Sequence, residues 1–134
     1  MIQSLLFDQA PHKNIPPFKS QLLKWIGNKQ RFAHEIVGSF PKQFGRYFEP
    51  FLGSGGVLAT LAPQNAIASD VFEPLVEIWS TLKSDTNKLK SWYAERWEIA
   101  HGETKKEGYE QIKASFNRQQ NGADLLFLCR VMAV

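Results

Sequence analysis

Residues 46–70, RYFEPFLGSGGVLATLAPQNAIASD, constrain the fold more than any other stretch of this chain. The aromatic run RYFEPF at 46–51, bounded by Gly45 and Pro50, reads as a short buried strand. Glycines at 53, 55 and 56 follow and open a helix through VLATLA. AIASD at 66–70 is small, apolar and ends in an acid, so it reads as a second buried strand. Strand, turn, helix and strand in this order make one βαβ unit with a parallel sheet.

The turn and the acid that follows it carry chemistry. Glycine has no Cβ and accepts positive φ, so the backbone can come close to a ligand. The helix that follows offers unpaired N–H groups and a partial positive charge. In a dinucleotide-binding unit the spacing would be G-x-G-x-x-G, but Leu58 occupies the third glycine position, which argues against a nucleotide-dependent oxidoreductase. Asp70, at the C-terminal edge of the second strand, can accept hydrogen bonds from both hydroxyls of a ribose; its structural alternative is to cap the helix that starts near Pro74 or to end a turn. Glu49, at the mouth of the first strand, can meet a ligand amine or pair with Arg46 or Lys29.

Helical patterns flank this unit. Upstream, the segment from Asn28 to Phe40 sets Phe32, Ala33, Ile36 and Val37 on one face, with Asn28 as N-cap and Pro41 as the stop. Downstream, Leu75, Ile78, Trp79 and Leu82 recur at helical spacing, then Leu89, Trp92, Tyr93 and Trp97, whose aromatic rings read as core. Two further helices are expected, at KEGYEQIKASFNR and ADLLFLCRVMAV.

With 134 residues and 43% apolar content, a chain of this size has one core to build. Cys129 is its single cysteine, which excludes an internal disulfide, and the three histidines have no metal-ligand spacing, so no metal is expected. The start, MIQSLLFDQAPHKN, carries an Asp and a Pro where a signal peptide needs a longer apolar run, and no stretch reaches membrane-spanning length. A soluble, cytoplasmic protein is the expectation. The net charge of +3 is uneven: residues 1–50 hold seven Lys or Arg against three acids, either a solvated face or a surface for nucleic acid.

Taken together, LLKWIGNKQRF, YFEPFLGSGGV and AIASDVFEPLVEIW resemble the Dam-like adenine-specific DNA methyltransferases. That family opens with K-W-x-G-x-K, follows with E-P-F-x-G-x-G and places an Asp after its second strand. The resemblance runs from about Leu22 to Leu82, and more weakly through YEQIKASFNR and ADLLFLCR. It implies a Rossmann-like α/β fold, present in part, that takes S-adenosylmethionine as cofactor and double-stranded DNA as partner. The whole of 1–134 would then be one partial domain, with a cofactor part at about 20–82 and the start of a helical DNA-recognition region at about 83–134.

By the same resemblance, Trp25 lies against the ligand and Lys29 holds polar groups at its methionine end. Glu49, Pro50, Phe51, Gly53 and Gly55 pass under the methionine portion, and Asp70 takes the ribose. An indole beside a sulfonium is chemically apt, because aromatic faces attract cations. Asn28 stands where the family usually has a second glycine. The family also needs a D/N-P-P-Y/F/W motif for the flipped adenine, and this sequence has none; Pro16-Pro17, between Ile15 and Phe18, precedes the cofactor motifs. The expectation is therefore a truncated methyltransferase that is inactive alone, with a non-catalytic binding module as the alternative. The C-terminal run LLFLCRVMAV is expected to expose apolar surface and to promote self-association.

Overall fold

The computed structural model describes residue 16, residues 20–102 and residues 104–131. The start MIQSLLFDQAPHKN, Pro17 and the last three residues of the C-terminal run therefore lie outside the described residues. The chain divides into two compact units at Asp70/Val71, and each is described by itself.

The first unit contains the expected βαβ arrangement. β1 (Tyr47–Glu49) and β2 (Ala66–Ala68) are parallel, with Tyr47 opposite Ala66, Phe48 opposite Ile67 and Glu49 opposite Ala68. Between them runs α2 (Gly56–Leu61). Both strands are shorter than the runs that announced them, since Pro50 has no N–H for the ladder, and β2 is not the buried strand expected: Ala66 and Ile67 are exposed, because one short strand beside β1 has no further layer over it among the described residues. Alternation along β1 turns Tyr47 and the buried Glu49 to one face and leaves Phe48, 61% exposed, on the other.

Upstream of β1, one 3-10 turn (Gln30–Phe32) leads into α1 (Ala33–Gly38). Ala33 and Val37 of α1 close on Val57 and Leu61 of α2, with Ile36, Phe40, Phe44 and Tyr47 packed around them. The helix starts later than its apolar pattern suggests. Asn28 does not cap it: its Oδ1 accepts the Gln30 N–H at 3.0 Å and tightens the entry into a 3-10 turn, with Lys29 at the N-cap position. Gly56 lets the 3-10 turn approach closely, because a Cβ on it would lie a tight 3.0 Å from the Gln30 backbone.

The second unit is helical: α3 (Glu73–Ser84), α4 (Thr86–His101), α5 (Lys105–Arg118) and α6 (Gly122–Val131). Asp85 starts α4 by accepting the Lys88 N–H, and Thr104 and Glu107 form a capping box at the start of α5. The expectation of an exposed C-terminal run is overturned for Leu125 to Cys129. Every residue of α6 from Gly122 to Cys129 is buried, because α6 packs against α3, α4 and α5 at once. A helix apolar all round is a central helix, and this one has its partners within the chain.

Asp124 is the polar exception in α6, at 3% exposure. Its Oδ1 accepts from Arg96 Nε at 2.8 Å and its Oδ2 from Asn121 Nδ2 at 3.0 Å. Burial alone would raise its carboxyl; the bonds from Asn121, Arg96 and Ser115, with the Arg96 charge, outweigh it and hold the group below its ordinary value. Of the aromatics expected in the core, Trp92 and Tyr93 are half-buried, but Trp97 is 44% exposed. Trp97 lies one turn beyond Tyr93 at the rim of α4 and stacks on His101, ring centroids 4.0 Å apart. No helix among the described residues is long and apolar enough to cross a membrane.

Candidate functional site

Two turns of the first unit face one cleft. In the first, the Asn28 N–H donates to the Trp25 carbonyl at 3.3 Å and Gly27 takes φ +70°. Asn28, where a second glycine would be usual in the family it resembles, keeps a negative φ, so the turn forms with one glycine. In the second, Gly53 and Gly55 take φ +52° and +68°, the Gly55 N–H donates to the Leu52 carbonyl at 2.9 Å, and Gly55 becomes the N-cap of α2. The turns touch: the Trp25 indole lies over Gly53, with Cδ1 3.5 Å from where a Cβ would stand.

The cleft measures about 180 Å3, below the roughly 300–1,000 Å3 of a pocket that encloses a whole ligand. Of the residues singled out in the sequence, Trp25, Lys29, Glu49, Phe51, Gly53 and Asp70 line it. Pro50 and Gly55 do not; Pro50 ends β1 and Gly55 serves the turn. Asn28 also lines the cleft and was not assigned to it by sequence, its signal being adjacency to Lys29 alone, and Ser54 lines it as part of the turn from Phe51 to Gly55. Ile26, 97% exposed, and Phe51, 76% exposed, stand at its rim.

Glu49 is the most unusual group here. It is 7% exposed, and its Oε2 is buried with no hydrogen-bond partner among the described residues. Burial pushes its carboxyl above the ordinary carboxylate range, although the Tyr47 hydroxyl, the Lys29 ammonium and the Leu58 N–H all favour the ionised form. Tyr47 is in turn pushed well up by burial and by the nearby Glu49 charge. The N-cap position of α3 is Phe72, whose own side chain makes no cap bond. Asp70 Oδ2 accepts the Gly53 N–H at 2.9 Å. Among the described residues, no three His, Cys, Asp or Glu side chains come together to hold a metal ion.

The sequence profile of the D12 class N6 adenine-specific DNA methyltransferases matches residues 25–133, which include the whole cleft. The chain belongs to this family. Among curated relatives, the type II methyltransferase M1.LlaDCHI of Lactococcus lactis subsp. cremoris is 32% identical over 76 residues, 57% of this chain and 25% of that protein. The type II methyltransferase M.MjaIII of Methanocaldococcus jannaschii is 30% identical over 114 residues, 76% of this chain and 39% of its own length. The retron Ec67 DNA adenine methylase of Escherichia coli is 27% identical over 107 residues, 80% and 36%. This D12-class chain thus spans between a quarter and two fifths of the length of these relatives.

Proposed function

We propose that the cleft holds the methionine and ribose portions of S-adenosylmethionine, as part of an enzyme that methylates the exocyclic amine of adenine in double-stranded DNA. The orphaned Glu49 Oε2 carries this reading. A buried carboxylate oxygen without a donor is costly unless a ligand supplies one, and an α-ammonium group supplies a charged one. Lys29 in the same cleft suits the α-carboxylate, the face of Trp25 suits a sulfonium, and Asp70 suits the ribose hydroxyls. The bound cofactor supplies an electrophilic methyl group, and the residues here bind and orient it.

On this reading β1 and β2 begin a Rossmann-like sheet, residues of about 20–82 form the cofactor part, and those of about 83–134 begin a helical DNA-recognition region. The small volume of the cleft supports a half-site, with the adenine end of the ligand held by further structure. The sequence of 134 residues has no D-P-P-Y motif to hold a flipped adenine, so on this reading these residues alone do not turn over, and the half-site binds the donor weakly.

Calorimetry with S-adenosylhomocysteine, in two buffers of different ionisation heat, tests the reading. A bound ammonium stabilises ionised Glu49, so binding near its raised pKa releases a proton and the heat depends on the buffer. Glu49→Gln should weaken binding by about tenfold or more and abolish that dependence. Equal affinity for the wild type and Glu49→Gln would remove the ammonium from Glu49 and the reading with it.

A further inference from the structure

We propose that Asp70 is also a positioning residue, whose carboxylate fixes the left-handed turn at Gly53 on which the Trp25 indole rests. This deepens the cofactor-site reading, but its geometry needs no ligand. Beyond the last paired residues of β1 and β2, backbone bonds carry the pairing a little further. The Ser69 N–H donates to the Glu49 carbonyl and the Leu52 N–H to the Ser69 carbonyl, both at 2.9 Å. The next donor, the Gly53 N–H, goes to Asp70 Oδ2 at 2.9 Å. A side chain thus takes over as acceptor where the two segments diverge.

That substitution matters because of the residue it holds. Glycine visits positive and negative φ about equally, so the sequence LGSGG does not by itself select one turn. A bond to an ionised acceptor does select one, because it forms only when the Gly53 N–H points at Asp70. Gly53 at φ +52° then presents its bare face to Trp25, with Cδ1 and Nε1 at 3.5 and 4.0 Å from the absent Cβ. Asp70, Gly53 and Trp25 all line the cleft, so the carboxylate that would meet the ribose also shapes the floor on the indole side. Removing it therefore loosens the cleft before any ligand arrives.

Nuclear magnetic resonance of the whole chain without ligand tests this. In Asp70→Ala the Gly53 amide should exchange about tenfold or more faster, and the Trp25 indole N–H resonance should move. The amides of Leu89 and Leu126, in the helical unit, should not change. An unaltered Gly53 exchange rate with an unmoved Trp25 resonance would overturn the proposal. If Asp70→Ala fails to fold, Asp70→Asn decides: it keeps an oxygen acceptor but not the charge, so the Gly53 proton should shift upfield in an otherwise native spectrum, and an unmoved Gly53 proton would refute the positioning role. The two readings fail separately. Loss of S-adenosylhomocysteine binding with Gly53 unchanged would sink only the positioning role, whereas a loosened Gly53 in a chain that never binds the ligand would sink only the cofactor reading.

Discussion

Arg96→Met should be among the most damaging single changes in the helical unit, although it removes no apolar contact from the core. Asp124 sits at 3% exposure in the central helix, and Arg96 is its only cationic partner in the described network, at 2.8 Å. Breaking a fully buried pair by removing one partner costs about 3–5 kcal/mol. Arg96 keeps 19% of its side chain in solvent and Asn121 still donates to Asp124, so about 2–3 kcal/mol is the fitting expectation. In thermal melts followed by tryptophan emission, three of the four indoles, Trp79, Trp92 and Trp97, report on this unit. The melting temperature should fall by about 10 °C or more.

The sign with pH follows from the depressed Asp124 carboxyl. Its stabilising contribution is full above the ordinary carboxyl value of 3.8 and is lost as pH falls through the lower folded value. The gap between wild type and Arg96→Met should therefore be widest near neutrality and close in acid. The double change Arg96→Met with Asp124→Leu should recover part of the loss, because no buried charge is then stranded. A single variant within about 0.5 kcal/mol of wild type at pH 7, a difference typical of exposed pairs, would refute this account of the network.

Other expectations follow from the same physics. Glu49→Gln should raise stability at neutral pH by about 1 kcal/mol, since burial raises the Glu49 carboxyl and the resulting penalty grows as pH climbs through that raised value; thermal melts at pH 4 and pH 7 should show the gain only at the higher pH. Gly108→Ala should cost about 1–3 kcal/mol in urea, because a Cβ there would overlap the Ala100 backbone where α4 and α5 cross. DNA binding by this chain should weaken steeply with salt and show little sequence preference in gel shifts, given the basic surplus in residues 1–50; affinity that is flat with salt would count against it.

The parts of the fold that were legible in sequence are those that local rules decide. Helical spacing alone marked α3, α4 and α5 to within a few residues, because apolar periodicity is written within each segment; the caps at Asp85 and Thr104 are findings of the structure. The βαβ order was legible because glycines and short apolar runs punctuate it. The failures were non-local. An all-apolar run such as LLFLC looks the same whether its neighbours are present or missing, so the burial of α6 could be learned only from α3, α4 and α5 around it. The residues of the cleft were mostly named from motif spacing, yet the bond from Gly53 to Asp70 spans 17 positions and no pattern announces it. Nor could spacing show that Glu49 is buried with an unpartnered oxygen, which depends on how β1 faces α2.

The central claim, that the cleft formed by the KWIGNK and FLGSGG turns is a methyl-donor site, is tested most directly by amide resonance mapping with S-adenosylhomocysteine. The account predicts saturable shifts at the Gly27 and Gly53 amides and at the Trp25 indole N–H, with the helices from Glu73 to Val131 largely unmoved. Saturation with no change at these three positions, or shifts confined to the helical unit, would contradict it.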